Sequence, residues 1–305
     1  MVNVDVAIVG GGPAGLSAGI YASRAALKTV LFEQGMPGGL AASTETIENY
    51  PGFSSGIGGP ELAQNMEAQA RRFGLEIVYA EVEEIKKEDG FFFLKTDEDE
   101  FKTKAVIFAT GAKPKFLEIK GEKEFHGRGV SYCATCDGAF FRDKRVAVVG
   151  GGDSAVEEAL FLTKFAQRVT IIHRRGELRA TKYLQQKARG NEKIDFILNS
   201  VPIEIRGSEI VENISLKDVP TGQIKELGVD GVFIYVGHSP TTDLVRGLVD
   251  LDNKDYILAD EEMRTNIEGF FVAGDVRKKS LRQVATAVAD GAIAAVSAEK
   301  YLERA

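Results

Sequence analysis

The sequence predicts an α/β fold built from two parallel-sheet halves of similar design. Three observations carry the prediction. Twice the chain runs from a short apolar strand into a glycine-rich turn, a helix-compatible stretch and a second apolar strand. Glycine fills 33 of 305 positions, roughly 11% where about 7% is usual. A further apolar strand near the end, Gly269 to Ala273, opens on Gly274-Asp275 ahead of a long helical stretch. The length suits two domains of ordinary size, or one large α/β domain. With 44% hydrophobic residues the chain can build a real core.

The first unit starts at once. Val4 to Val9 reads as a buried strand, and Gly10-Gly11-Gly12-Pro13-Ala14-Gly15 follows it. Leu16 to Leu27 is small, apolar and helix-compatible, and Lys28 to Phe32 reads as the next strand. That strand ends in Glu33, 23 positions after Gly10. The first glycine makes the tight turn and the second lets backbone N–H groups approach a pyrophosphate. The third lets helix and strand pack closely, and the helix N-terminus favours the phosphate charge. The acid can accept hydrogen bonds from a ribose hydroxyl. In this context G-x-G-x-x-G reads as a Rossmann-like dinucleotide-binding unit.

The second unit repeats the pattern. Lys144 to Val149 reads as a strand, followed by Gly150-Gly151-Gly152-Asp153-Ser154-Ala155, with alanine in the third glycine's place. Val156 to Ala166 has helical spacing, and Arg168 to Ile172 is the second strand. It ends in His173, again 23 positions after the first glycine, and the run continues Arg174-Arg175, with Arg179 beyond. Guanidinium groups there suit a ribose 2′-phosphate, which an acid would repel. The second site therefore reads as NADP-binding and the first as FAD- or NAD-binding. Two such units in one chain suggest electron transfer between a nicotinamide and a flavin. The Gly274-Asp275 turn, with the helix from Gln283 to Leu302, supports the flavin, since a carboxylate there could hold ribityl hydroxyls. Ala105 to Phe108, running on to Thr110-Gly111, is another buried strand.

Charge and composition narrow the function. A net charge of −7 argues against a nucleic-acid or membrane-surface partner. No apolar run approaches the roughly 18 residues of a membrane span. The start, Met1-Val2-Asn3-Val4-Asp5, lacks the basic opening of a signal peptide, so a cytoplasmic location is expected.

The chain has two cysteines, both in Cys133-Ala134-Thr135-Cys136-Asp137. Two-residue spacing keeps the sulfurs within disulfide reach and the bond reducible. A zinc site would need two more ligands, and His126, His173 and His238 lack the spacing. Redox chemistry is the favoured reading and no metal is expected. Asp137 is a candidate proton donor or acceptor for a thiolate.

Together these segments resemble the low-molecular-weight thioredoxin reductases over nearly the whole chain. The resemblance rests on Gly10 to Gly15, Glu48-Asn49-Tyr50-Pro51-Gly52, Ala109-Thr110-Gly111-Ala112, Cys133 to Gly138, Gly150 to Ala155, His173-Arg174-Arg175, Gly237-His238-Ser239-Pro240, Ala273 to Val276, and Arg282-Gln283. It implies a discontinuous FAD domain, residues 1–113 and 242–305, interrupted by an NADPH domain, 114–241, that carries the redox pair. It also implies a homodimer.

Roles carry over by position. Cys136 resembles the sulfur lying against the flavin, Cys133 the thiol that attacks the thioredoxin disulfide, and Asp137 the acid/base. Gly10, Gly12, Pro13, Ala14, Gly15, Glu33, Gln34, Gly39, Leu40, Asn49, Val82, Thr110, Gly111, Gly274, Asp275, Arg282 and Gln283 resemble FAD contacts. Gly152, Asp153, Ser154, His173, Arg174, Arg175, Arg179 and Gly237 resemble NADPH contacts. Leu40 stands where the family commonly has a glutamine and cannot donate that amide's hydrogen bond. Thr241 replaces a usual asparagine.

The implied activity is reduction of thioredoxin by NADPH through FAD and the Cys133–Cys136 disulfide, with a hinge between the domains to expose the pair. Reduction of another dithiol carrier such as a glutaredoxin-like protein, a small-molecule dithiol oxidase, and a non-enzymatic C-x-x-C module stand as alternatives. Phe140-Phe141-Arg142 reads equally as a partner-docking patch or as core. Phe91 to Leu94 reads as a strand, Asp97 to Glu100 as a solvated hairpin, and Arg277-Lys278-Lys279 as a solvated turn.

Overall fold

In the computed structural model, which describes residues 1–304, the chain forms two compact units. One comprises Met1–Lys113 with the chain from Ser239 onward, the other Pro114–His238.

The first unit is organised by a parallel sheet in the order Phe270–Val272, Ala105–Phe108, Val6–Val9, Thr29–Phe32, Glu76–Val78. The central strands are buried on both faces, which is why they read as unbroken apolar runs. Val6 and Ile8 face one core, with the helices Pro13–Arg24, Gly59–Arg72 and Val284–Leu302. Ala7 and Val9 face the other, against the four-stranded sheet that contains Glu84–Glu88, Phe91–Lys95 and Glu100–Thr103. Asp97–Glu100 falls at the turn of that sheet and is exposed, as expected of a hairpin tip.

The second unit repeats the design. Its parallel sheet has the order Val130–Ser131, Gly231–Tyr235, Arg145–Gly150, Arg168–Ile172, Ile194–Ile197. Val146 and Val148 face the core under the helices Asp153–Leu162 and Lys182–Arg189, while Ala147 and Val149 face the opposite core. A three-stranded antiparallel sheet, Ser200–Gly207, Val211–Asp218 and Ile224–Gly228, covers that second face.

Several boundaries shift from those the sequence suggests. The first strand begins at Val6, because Val2–Asn3 pairs with Phe101 and Lys102 in the other sheet. The first helix starts at Pro13 and stops at Arg24, where Ala26 turns into the left-handed region at φ 59°. The second nucleotide helix starts at Asp153 and ends at Leu162, four residues before Ala166. The chain passes back into the first unit at Ser239, within the stretch 237–242 that glycine and proline mark as a joint. Thr241 N–H donates to the Gly111 carbonyl and Thr110 Oγ1 to the Thr241 carbonyl, so Thr241 belongs with Gly111.

Helix packing in the first unit depends on Gly291. A Cβ there would lie 2.1 Å from the Ala14 carbonyl oxygen, so the last helix lies directly on the first. Gly291→Ala is expected to cost about 1–3 kcal/mol by overpacking. Chemical denaturation of the full chain measures this, and an unchanged midpoint would contradict the packing.

Candidate active site

The first glycine turn is shaped by what it excludes. A Cβ at Gly15 would lie 1.9 Å from the Gly10 carbonyl oxygen, and Gly10 itself sits at φ 107°. At Gly12 the space is open, with only the Gly39 Cα at 4.0 Å. No side chain caps the Pro13–Arg24 helix. Glu33 pins the turn from the neighbouring strand: its Oε2 accepts from Gly11 N–H at 2.8 Å and its Oε1 from Gly35 N–H at 3.0 Å. A carboxylate has capacity for further donors, so this leaves room for ribose hydroxyls.

The Gly274–Asp275 turn lies against the same place, since a Cβ at Gly274 would be 2.9 Å from that of Ala14. Asp275 Oδ1 is buried with no hydrogen-bond partner. Burial raises its pKa, an effect opposed by Lys279 and Arg282. An orphaned buried acceptor beside an open glycine turn fits a bound molecule that brings hydroxyl donors. Arg282 Nε reaches the Asp275 carbonyl at 3.4 Å, and its guanidinium stacks 4.0 Å over Tyr256. Asn49 Nδ2 donates to Gln283 Oε1 at 2.9 Å, and Gln283 caps the last helix through a capping box with Thr286. Gly111, at φ 68°, is also open. Gln34, Gly39 and Leu40 lie on the surface, and the Leu40 carbonyl accepts from Ser43 Oγ. Val82 is buried in the core.

Arg277 and Lys279 correct the expectation of a solvated turn. Both bind Asp290 of the last helix, Arg277 at 3.0 and 3.1 Å and Lys279 at 2.7 Å. The Lys279 and Asp290 side chains are only 6% and 7% exposed. Asp290 Oδ2 also accepts from Gly274 N–H at 3.1 Å. Sequence reasoning passed over Asp290 because no local motif marks it. Its signal was an acid at an otherwise apolar helical stretch, next to Gly291.

The second glycine turn is built in parallel. His173 occupies the position of Glu33, and its ring fills the space a Cβ at Gly151 would need, 2.3 Å from Nδ1. It is buried, with Nε2 unpartnered, and supports the turn from below. Burial thus sets the His173 side chain apart from the exposed arginines that follow it. Burial lowers its pKa, and Arg179, Arg174 and Arg175 add to that, so the imidazole is held neutral. Arg174, Arg175 and Arg179 are exposed. The loop that carries them folds back on the turn: Arg179 N–H and Ala180 N–H donate to the Gly151 carbonyl, and Thr181 N–H to Asp153 Oδ1. Around Gly152 nothing lies within 4 Å of an added Cβ, which leaves room for a phosphate. Ser154 is exposed, and Gly237, at φ 123°, is exposed at the end of the neighbouring strand segment.

Cys133 and Cys136 form a disulfide across a single helical turn, Ala134–Asp137, their Cα atoms 5.3 Å apart. Cys136 is exposed and Cys133 partly so. Cys136 N–H points at Cys133 Sγ, 3.2 Å away. Asp137 Oδ2 accepts from Ser131 Oγ at 2.6 Å, and the same hydroxyl accepts from Cys133 N–H at 3.0 Å. Ala134 N–H donates to Tyr235 Oη at 2.7 Å. Just ahead, Tyr132 donates to Glu122 Oε1, and that buried carboxylate also takes Leu117 and Glu118 N–H. Burial, followed by Glu122, raises the Tyr132 phenol. Ser131 and Tyr235 were not legible as site residues. The Phe140–Phe141 pair divides its roles: Phe140 is 75% exposed, while Phe141 is buried against Phe233.

Among the described residues no group of three or more metal-ligating side chains occurs, and no helix is long and apolar enough to cross a membrane.

Comparison with known proteins agrees with this geometry. The family model described as pyridine nucleotide-disulphide oxidoreductase matches residues 4–291. The chain is 52% identical to a thioredoxin reductase of Peptoclostridium litorale, over 99% of this chain and 98% of that one. It is 49% identical to a thioredoxin reductase of Bacillus subtilis (strain 168), over 98% of this chain and 95% of that one. The crystal structure of Lactococcus lactis thioredoxin reductase in its FR conformation matches with a TM-score of 0.97 at 49% identity, covering 99% of this chain and 100% of that one.

Breaking the buried cluster leaves two cations around a neutral group. Asp290→Asn is expected to destabilise the chain by about 3–5 kcal/mol. The melting midpoint measures this, and a midpoint equal to wild type would contradict the burial.

Proposed function

The chain belongs to the pyridine nucleotide-disulphide oxidoreductase family, and on that premise we propose that it is a thioredoxin reductase: an NADPH-dependent flavoprotein that reduces thioredoxin through the Cys133–Cys136 disulfide. The observation that carries the reading is the disulfide itself, held on an exposed single turn with Asp137 next to it. The full-length similarity to named thioredoxin reductases supports it.

The cofactors are FAD and NADPH. For FAD, the open Gly12 turn, Glu33, the unpartnered Asp275 Oδ1 and the Asn49–Gln283 pair fit the group and would hold it. FAD, when bound, takes a hydride equivalent from NADPH and supplies the electron pair that opens the disulfide. For NADPH, Gly152 leaves room for the pyrophosphate, and Arg174, Arg175 and Arg179 would clamp the 2′-phosphate.

The protein's own sulfurs do the rest. The Cys133 thiolate attacks one sulfur of the thioredoxin disulfide, forming a mixed disulfide and releasing the other thioredoxin sulfur as a thiolate. Cys136 then attacks Cys133 Sγ, which closes the internal disulfide and frees the second thioredoxin thiolate. Asp137, oriented by Ser131, exchanges the protons. Phe140, exposed beside the turn, offers an apolar contact for the partner protein. A cytoplasmic homodimer completes the proposal.

Three outcomes test it. The purified protein should be yellow, bleach on addition of NADPH and regain colour with oxidised thioredoxin. In Cys136→Ser, bleaching by NADPH should persist while thioredoxin turnover disappears, and full turnover would overturn the assignment. In Arg175→Ala or Arg179→Ala, KM for NADPH should rise by about ten- to a hundredfold, the effect of one charge-assisted hydrogen bond. KM for NADH should hardly move.

A further inference from the structure

A lone helical turn is a weak structure, because nucleation orders several residues for a single hydrogen bond. Its first N–H groups also lack helical acceptors. The redox turn meets this need mostly from within. Cys133 N–H goes to Ser131 Oγ, Cys136 N–H to Cys133 Sγ and Asp137 N–H to the Cys133 carbonyl. While the disulfide is closed, the covalent bond also holds the ends together. Ala134 N–H differs, because its acceptor, Tyr235 Oη, lies 101 residues away in sequence.

Tyr235 is a firm anchor. It ends the Gly231–Tyr235 strand, which pairs on one side with Val130–Ser131 and on the other with Arg145–Gly150. Its backbone stands opposite Gly150, where a Cβ would lie 2.5 Å from the Tyr235 carbonyl oxygen. Ala134 is fully buried, so its N–H has no ready substitute for this partner. Burial, with Glu158 and Asp137 nearby, raises the phenol well above its ordinary range, so it stays protonated.

We propose that Tyr235 is a positioning residue for the redox pair. Its hydroxyl holds the turn in shape once the disulfide opens, so that Cys136 N–H stays aimed at Cys133 Sγ and stabilises the thiolate there. A hydrogen bond to a thiolate is charge-assisted and stronger than one to a neutral sulfur. Helix N-terminal donors favour thiolates for the same reason. The inference rests on the reading of Cys133 as the attacking thiol, and it adds what keeps that thiol ionised.

The test follows one thiol. In full-length, FAD-loaded Cys136→Ser, Cys133 is the only cysteine, and residue 136 keeps its N–H. Its alkylation by iodoacetamide is measured between about pH 5 and 9, with and without Tyr235→Phe, which removes the hydroxyl and keeps the ring. The rate near neutral pH should fall by about fivefold, the worth of one ordinary hydrogen bond. At the alkaline end, where the thiol is ionised in both, the rates should converge. Superimposable profiles would overturn the proposal, as would an equal loss at every pH, which would report altered access.

Ala134→Pro removes the donor from the other side of the same bond. Proline is tolerated at the first position of a helix, and Cys133 already has the extended backbone a following proline requires. It should displace the profile as Tyr235→Phe does, and the double variant should add nothing further. Additive effects would overturn the link. Because alkylation needs neither NADPH nor thioredoxin, failure here leaves thioredoxin turnover to judge the proposed activity separately.

Discussion

Close backbone approach is the constraint on which the first unit depends. At Gly15 a Cβ would stand 1.9 Å from the Gly10 carbonyl, and at Gly291 one would stand 2.1 Å from that of Ala14. These contacts press the first helix onto its strand and the last helix onto the first. At Gly274 a Cβ would meet Ala14 as well, so three separate stretches of chain converge on the start of one helix. Any larger residue would push them apart and open the site they enclose. The second unit reaches a similar geometry with Ala155, and there Gly150 makes the room: its own Cβ would come within 2.6 Å of that of Ala155.

The residue at the end of the second strand is used the same way twice. Glu33 and His173 each back the middle glycine of their turn, Gly11 and Gly151. Glu33 does so with a hydrogen bond and keeps spare acceptor capacity. His173 does so by packing, and its neutral ring lets the following arginines present positive charge without a competing carboxylate. One architectural slot thus holds a carboxylate in one unit and a neutral ring in the other.

The redox turn is held differently. A four-residue helix has little stability of its own, so its shape is set by neighbours. Ser131 ties Asp137 to the backbone at Cys133, and Tyr235 fixes Ala134 from a central strand. An acid, the disulfide and two hydroxyls are therefore tied into one assembly, although only the cysteines and the acid form a motif.

Much of this was legible in the chain. Local rules sufficed wherever chemistry is encoded by adjacent residues: the glycine turns, the doubly buried strands, the arginine run and the C-x-x-C pair each span a few positions. Element ends shifted where the chain changes sheets at Val4 or turns left-handed at Ala26, because pairing partners elsewhere decide those points. Arg277 and Lys279 looked like a solvated turn since charge at a loop usually faces water. Only the tertiary structure brings Asp290 beneath them from 11 or more residues further on. The same holds for Tyr235, whose hydroxyl meets Ala134 N–H from 101 residues away in the chain. The sequence by itself determined the glycine turns, the doubly buried strands and the cysteine pair, through short-range spacing. The tertiary structure decided which distant groups hold them in place, because a hydrogen bond between residues far apart in the chain leaves no periodic trace.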